Sequence, residues 1–510
     1  MGVFMGTTVV MEERREALQD RLGVALVAGA YAAVNAFLAW RLPLWTDEIY
    51  TLHTTAEGPV EAARRALSFE LQPPVYFVLE AVWRAFWSGP LEARVPSILF
   101  GVTTVVVGAA LAHRLMPGIR TPWAALLIAT NPFVIWAGSE ARVYALVMLL
   151  GAAICLVFVR VHLEGWNRER PLLVVLAILA LYTQYYLGFL LAAAGASLLL
   201  LRRYREAGWY ALEMGVVLLL FLPQIGITLQ QASAHSSVLT AQPISIKSLL
   251  FEAETCIAEL SLPVEWFWGK DDAWVRMLRW GIRLAVGAGL VGGFWRRRKR
   301  QDHLPAFALL AILTVVPYLT GSVLTRIVGE PWYFRHWAGF AIPAVLLPLA
   351  LAGAIGSRAV TAGALVVLLG GNVVASAMEL GDLAKTEDNR RVGQALENLE
   401  RDNEPILVAP ADRVWSLGFY YRGRNRLVPV PRDPSFETYR REDIFPKTPA
   451  AFREALHRAG DPKAVWVLTG DIELRRMAEE SLAEQWQEDL HLQFAGETSL
   501  THFVQTVPLP

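Results

Sequence analysis

The chain has 510 residues, with 47 basic and 47 acidic side chains and a formal net charge of zero, so no global field draws it to nucleic acid. Hydrophobic residues make up 54% and charged residues 18%. A soluble protein has no core large enough for that much apolar material, which excludes an ordinary soluble domain and marks a membrane protein. The two cysteines, Cys155 in an apolar run and Cys256 in a loop, give neither a disulfide framework nor a cysteine metal site.

In chain order, a charged stretch (MEERREALQDR) precedes the apolar run ALVAGAYAAVNAFLAW, which ends at Trp40 without a small-residue cleavage site. This reads as a retained helix. Further runs predict spans at 22–41, 94–115, 121–138, 141–161, 171–186, 187–203, 207–224, 275–295, 304–323, 334–354 and 359–378, about eleven in all. Arginine-rich connectors (Arg14-Arg15, Arg114 to Arg120, Arg160 to Arg170, Arg202 to Arg205, the run 296–300 and Arg358) fall on one side in this scheme. By the positive-inside rule that side is cytoplasmic, with the N-terminus inside and the C-terminus outside. The arginine bias also favours two helices over one across 171–203.

Three outer segments are too long for simple turns: 42–93, 225–274 and 379–510. In the first, Trp83, Phe86 and Trp87 fit an interfacial helix. The last is polar, with β-like runs at 405–409, 464–468 and 501–507 and helical periodicity at 449–459 and 472–485. It predicts a small α/β domain at 379–510 behind a membrane module at 1–378, and it lacks a Gly-rich phosphate loop.

Candidate chemistry lies at helix borders. Asp47 and Glu48 follow Thr46, so they suit a helix start with Thr46 as the N-cap, or a site in which a shielded carboxylate acts as general base. Neighbouring helical residues project about 100° apart, so one acid is expected to be chemical and the other structural. In SEARVYAL, Glu140 and Arg142 pair with neighbours at the membrane border or shape an acidic site, where Arg142 fixes a carboxylate or phosphate and Tyr144 offers a hydroxyl. In EPWYFRHWAGFAIP, Arg335 and His336 are snorkelling residues or donors to a lipid-linked phosphate, with Arg326 a weaker candidate. Tyr76 in QPPVYF, and Gln184 and Tyr185 in YTQYYLGF, serve packing or sugar hydroxyls.

An Asp-Glu pair in the first outer loop, a Pro-Pro-Val-Tyr turn, Glu-x-Arg-x-Tyr after the third span, Tyr-Thr-x-Tyr-Tyr and an Arg-aromatic start to a late helix together resemble the GT-C superfamily. The resemblance is to the bacterial branch with protein O-mannosyltransferases and lipid A aminoarabinose transferases. It covers the membrane region, and the tail is similar to the external domain of such enzymes. It implies a polytopic helical enzyme of the plasma (inner) membrane. Such an enzyme transfers a sugar with inversion from a polyprenyl-phosphate donor to a lipid, glycan or protein acceptor on the outer face. Asp47 takes the role of acceptor-activating base and Glu48 its support. Gln72 and Gln184 stand where the family often has histidine, so no cofactor is certain and a divalent cation is left open. Two other classes compete: an ion-coupled transporter or flippase of a lipid-linked substrate, and a binding module in the tail with the membrane part as anchor. A transporter calls for ionisable or broken segments near mid-span.

Overall fold

In the computed structural model the apolar runs are helices, because only intrahelical bonds satisfy the backbone away from water. The structure describes residues 2–236, 245–261, 306–328, 334–355, 357–380, 387–401, 403–483, 485–494 and 496–506, with isolated helical positions at Met277, Trp280, Leu284 and Val291. The arginine run 296–300, and all but those four positions of the span expected at 275–295, lie outside the described residues.

Two compact units emerge. The first comprises Met1–Phe37, Gln72–Tyr76 and Arg94–Glu379, and the second Leu38–Leu71, Phe77–Ala93 and Leu380–Pro510. Among the described residues seven helical stretches are long and apolar enough to cross a bilayer: Arg14–Arg41, Glu92–Leu115, Tyr144–Leu163, Tyr204–Gln231, Ala306–Ile327, Arg335–Ile355 and Arg358–Met378. The chain is a polytopic α-helical integral membrane protein.

In the first unit the helices are α1 (Gly2–Arg41, whose end enters the second unit), α5 (Val95–Leu115), α6 (Thr121–Ala129), α7 (Pro132–Gly138), α8 (Tyr144–Phe158), α9 (Arg170–Leu181), α10 (Leu187–Leu200), α11 (Tyr204–Ser236), α12 (Ile246–Ser261), α13 (Ala306–Val328), α14 (Ala341–Ile355) and α15 (Arg358–Leu380). Numbering leaves α2 to α4 for the outer segment below. The span expected at 121–138 is broken into α6 and α7. Pro132 has no N–H to continue the ladder, and Asn131 Oδ1 accepts from the Phe133 and Val134 amides at 3.1 and 3.4 Å. The same side chain donates to the Leu260 carbonyl at 2.7 Å, so the break is closed internally. The stretch 171–203 forms two helices, α9 and α10, separated by the turn at Tyr182–Tyr186. Cys256 lies in α12 and not in a loop, on a buried stripe with Ala253 and Leu260 whose spacing is helical. Leu218, Leu219, Leu220 and Leu222 on α11 are exposed, as a lipid-facing surface requires.

The second unit begins with three short helices of the 42–93 segment: α2 (Thr46–Thr54), α3 (Pro59–Ser68) and α4 (Val75–Arg84, which starts in the first unit). At nine or ten residues each they cannot span a bilayer. Phe86 and Trp87 are exposed, and Trp83 stacks on Trp87 at 4.2 Å.

The rest of the unit adds α16 (Asn389–Leu399), β1 (Ile406–Ala409), α17 (Arg413–Tyr420), β2 (Leu427–Pro429), α18 (Arg441–Ile444), α19 (Ala450–Ala459), β3 (Ala464–Thr469), α20 (Ile472–Leu482), β4 (Trp486–Gln493) and β5 (Ser499–Gln505). The sheet order is β2-β1-β3-β5-β4, with β2, β1 and β3 parallel and β5 and β4 joined antiparallel. Because strand side chains alternate, Ile406 and Val408 face a core with Val392, Leu396 and Leu417, while Leu407 and Ala409 face Phe452, Ala455, Leu474 and Ala478. Helices therefore cover both faces.

Candidate functional site

The acid-bearing helix starts one residue earlier than the sequence suggested. Trp45, in extended conformation, is the N-cap, and Thr46 is the first helical residue. Glu48, three positions after the cap, reaches back so that its Oε2 accepts from the Trp45 amide at 3.4 Å, which is the return half of a capping box. This frees the Thr46 hydroxyl, which lies 3.0 Å from Ser416 Oγ. The two acids are therefore unlike: Glu48 is 0% exposed and bonded at the helix start, whereas Asp47 is half-buried.

Around α2 the second unit builds an aromatic shelf. Phe436 stacks between His53 (3.4 Å) and Trp415 (3.5 Å), and Tyr50 meets Phe69 edge-on at 4.9 Å. Burial, followed by the Arg65 guanidinium, pushes the His53 imidazole below its ordinary value, which favours the neutral ring. Beside the shelf, Tyr50 donates its hydroxyl to Asp412, and the Thr46 amide donates to Glu387 Oε2 at 3.1 Å. Glu80 on α4 is buried, and burial pushes its carboxyl up to about 8. Sequence reasoning missed Tyr50, Glu80, Glu387 and Asp412. The one available signal was a lone acid, Asp412, set just before the apolar helical stretch RVWSLGFY.

The other candidates belong to the first unit. The connector Ser139–Val143 between α7 and α8 is buried at every position, including Glu140 and Arg142. Connectors normally run over the surface, and ionisable side chains buried in a membrane protein carry a high cost, so Glu140 and Arg142 stay candidates on burial alone. Ser97 Oγ donates to the Arg142 carbonyl at 3.3 Å, and Tyr144 stacks on Trp136 at 4.9 Å.

Arg335 and His336 sit half-buried in the 3-10 segment Phe334–Phe340 that leads into α14. His336 lies against Tyr186, with ring centroids 4.3 Å apart, so the structure brings the Arg-His pair to the YTQYY turn. In that turn Gln184 is buried, and the Tyr185 hydroxyl donates to Gln231 Oε1 at 2.8 Å while accepting from Gln224 at 2.9 Å. The Val75 amide donates to the Tyr182 carbonyl at 3.1 Å, which ties the segment carrying the buried Tyr76 to the same turn. Arg326 forms an ion pair with Glu252 and donates to Ser248 Oγ at 3.3 Å. Among the described residues no group of three or more His, Cys, Asp or Glu side chains is placed to hold a metal ion.

No family model matches the chain, and no curated protein does. Solved structures do. The chain is similar to ArnT from Cupriavidus metallidurans bound to undecaprenyl phosphate, at 13% identity over 94% of this chain and 97% of that one, with a TM-score of 0.41. The apo state of that protein gives 14% identity over 94% and 98%, with a TM-score of 0.42. The Archaeoglobus fulgidus oligosaccharyltransferase in complex with Zn and sulfate gives 12% identity over 89% of this chain and 69% of that one, with a TM-score of 0.47. Likenesses at these identities assign no residue a role.

Proposed function

We propose that the chain is an inverting GT-C glycosyltransferase that moves a sugar from a polyprenyl-phosphate donor to a lipid, glycan or protein acceptor on the outer face of the plasma (inner) membrane. The observation that carries this reading is the asymmetry of the acid pair. Glu48 is spent on the helix start, which leaves the half-buried Asp47 as the carboxylate for chemistry.

In the proposed reaction Asp47 takes the proton of the acceptor hydroxyl. The acceptor oxygen bonds to the anomeric carbon from the face opposite the phosphate, the carbon–oxygen bond to phosphate breaks, and polyprenyl phosphate leaves with the electron pair. Arg335 supplies forked donors to the departing phosphate and His336 a further donor, and Arg326, paired with Glu252, is the weaker candidate for the same role. Glu140, Arg142 and Tyr144 shape the substrate site, and Tyr76, Gln184 and Tyr185 offer groups to sugar hydroxyls.

One observation favours the transporter: the expected span 121–138 is interrupted at Asn131-Pro132. Asn131 spends its oxygen on two amides and its NH2 on Leu260, so the break carries a satisfied cap instead of an open ligand shell. The test is to incubate the purified protein with a panel of polyprenyl-phosphate sugars and follow hydrolysis or transfer by mass spectrometry. Turnover of a donor is expected. No turnover, with ion-coupled flux in vesicles, supports the transporter instead.

A further inference from the structure

The helix that carries Asp47 is held by residues far away in sequence. The Leu44 amide donates to Tyr420 Oη at 2.6 Å, the Thr46 amide to Glu387 Oε2 at 3.1 Å, and the Thr46 hydroxyl lies 3.0 Å from Ser416 Oγ, which also accepts from Asn389 at 2.9 Å. One turn further, Tyr50 donates to Asp412 Oδ2. Asp412 is 8% exposed, and its other oxygen, Oδ1, is buried without a hydrogen-bond partner among the described residues. An acceptor left unsatisfied in a dry setting costs stability, so packing does not account for a carboxylate at this position. Tyr50 follows Asp47 by three residues, which places both on one side of α2. A contact that fixes the Tyr50 hydroxyl therefore fixes the rotation of the helix under Asp47.

We propose that Asp412 is a positioning residue. Through Tyr50 it sets the orientation of α2, and hence the direction in which Asp47 presents its carboxylate to the acceptor. The inference rests on the reading of Asp47 as the base.

The groups facing Asp412 are Tyr50 and Asp47 on α2, Glu387 ahead of α16, and Arg413 beside it on α17. Burial above all pushes its carboxyl up to about 7. The Tyr50 hydroxyl opposes this, Glu387 adds to it, Arg413 opposes it and Asp47 adds to it. The sign follows from these contacts. Above about 7 Asp412 is an anion and a strong acceptor for Tyr50, and as pH falls through that value it takes a proton and the contact weakens. Turnover should therefore fall on the acid side of that pH. Tyr50→Phe removes the hydroxyl through which Asp412 acts and Asp412→Asn removes the titrating group, so each should abolish this limb.

The experiment uses the full-length protein with Tyr50→Phe, Asp412→Asn and the double variant. Each single variant is expected to lower kcat roughly 10- to 100-fold, the scale of a misplaced catalytic group, with donor and acceptor KM little changed. The double variant should be no worse than the poorer single one. Amide exchange over residues 46–54 should speed up in both single variants, while the melting temperature reports any general loss of fold. Wild-type kcat and pH profile in Tyr50→Phe overturn the proposal. So does a loss of rate that only follows the melting temperature and leaves the acid limb in place. If the wild-type protein turns over no donor, the catalytic reading fails, and exchange over 46–54 unaltered by Asp412→Asn overturns the positioning as well.

Discussion

Asp47 and Glu48 are adjacent in sequence and separate in environment. The pair, its place after an apolar run, and the rule that neighbours on a helix point apart were all readable from LPLWTDEIYTLHTT. What sequence did not carry is the cap. Thr46 is the commoner capping type, but Trp45 holds the position because its extended backbone lets Glu48 bond back to its amide. Glu48→Ala should therefore lower stability by about 1–2 kcal/mol, read as a lower melting temperature, whereas Asp47→Asn should leave the melting temperature near that of the parent. For Arg335→Ala the expected result is a raised donor requirement with little change in the maximal rate, measured by titrating donor lipid. An unchanged donor requirement would remove Arg335 from the phosphate site. The pairing of Tyr50 with Asp412 was invisible in sequence, since no local pattern links positions 362 residues apart.

At the level of elements, long apolar helices were legible, and so were the polar helices expected at 449–459 and 472–485, which are α19 and α20. The expected strands at 405–409, 464–468 and 501–507 correspond to β1, β3 and β5. β2 escaped because it is three residues long and ends in proline, and β4 because the apolar alternation of WQEDLHLQ is interrupted by the polar run Gln487–Asp489. The split of 121–138 turned on one Asn-Pro step inside an otherwise unbroken apolar run. Packing between elements also follows from glycine. A Cβ built on Gly151 of α8 would fall 2.0 Å from the Gly339 carbonyl oxygen, so helix and 3-10 segment meet backbone to backbone, as small residues permit in membranes. Gly151→Val should push away the segment that carries Arg335 and His336. Donor binding should weaken more than thermal stability does, and donor affinity equal to the parent's would contradict this packing argument.

For the whole molecule, composition already demanded a multispanning membrane protein, and arginine placement suggested its sidedness. The grouping of residues was less legible. The segments Leu38–Leu71 and Phe77–Ala93 cluster with Leu380–Pro510, so the helix bearing Asp47 is built into the same compact unit as the C-terminal sheet. Sequence order hides this, because the contacts run from Thr46, Tyr50 and Arg64 to Ser416, Asp412 and Glu437. The account as a whole stands on sugar transfer driven by one carboxylate. Its most direct test is the rate at which the wild-type protein and Asp47→Asn, both inserted in membranes and both binding donor lipid, release polyprenyl phosphate and transfer sugar. Turnover by the wild type and its loss in Asp47→Asn with donor binding retained is the predicted result, and near-normal turnover by Asp47→Asn would contradict it.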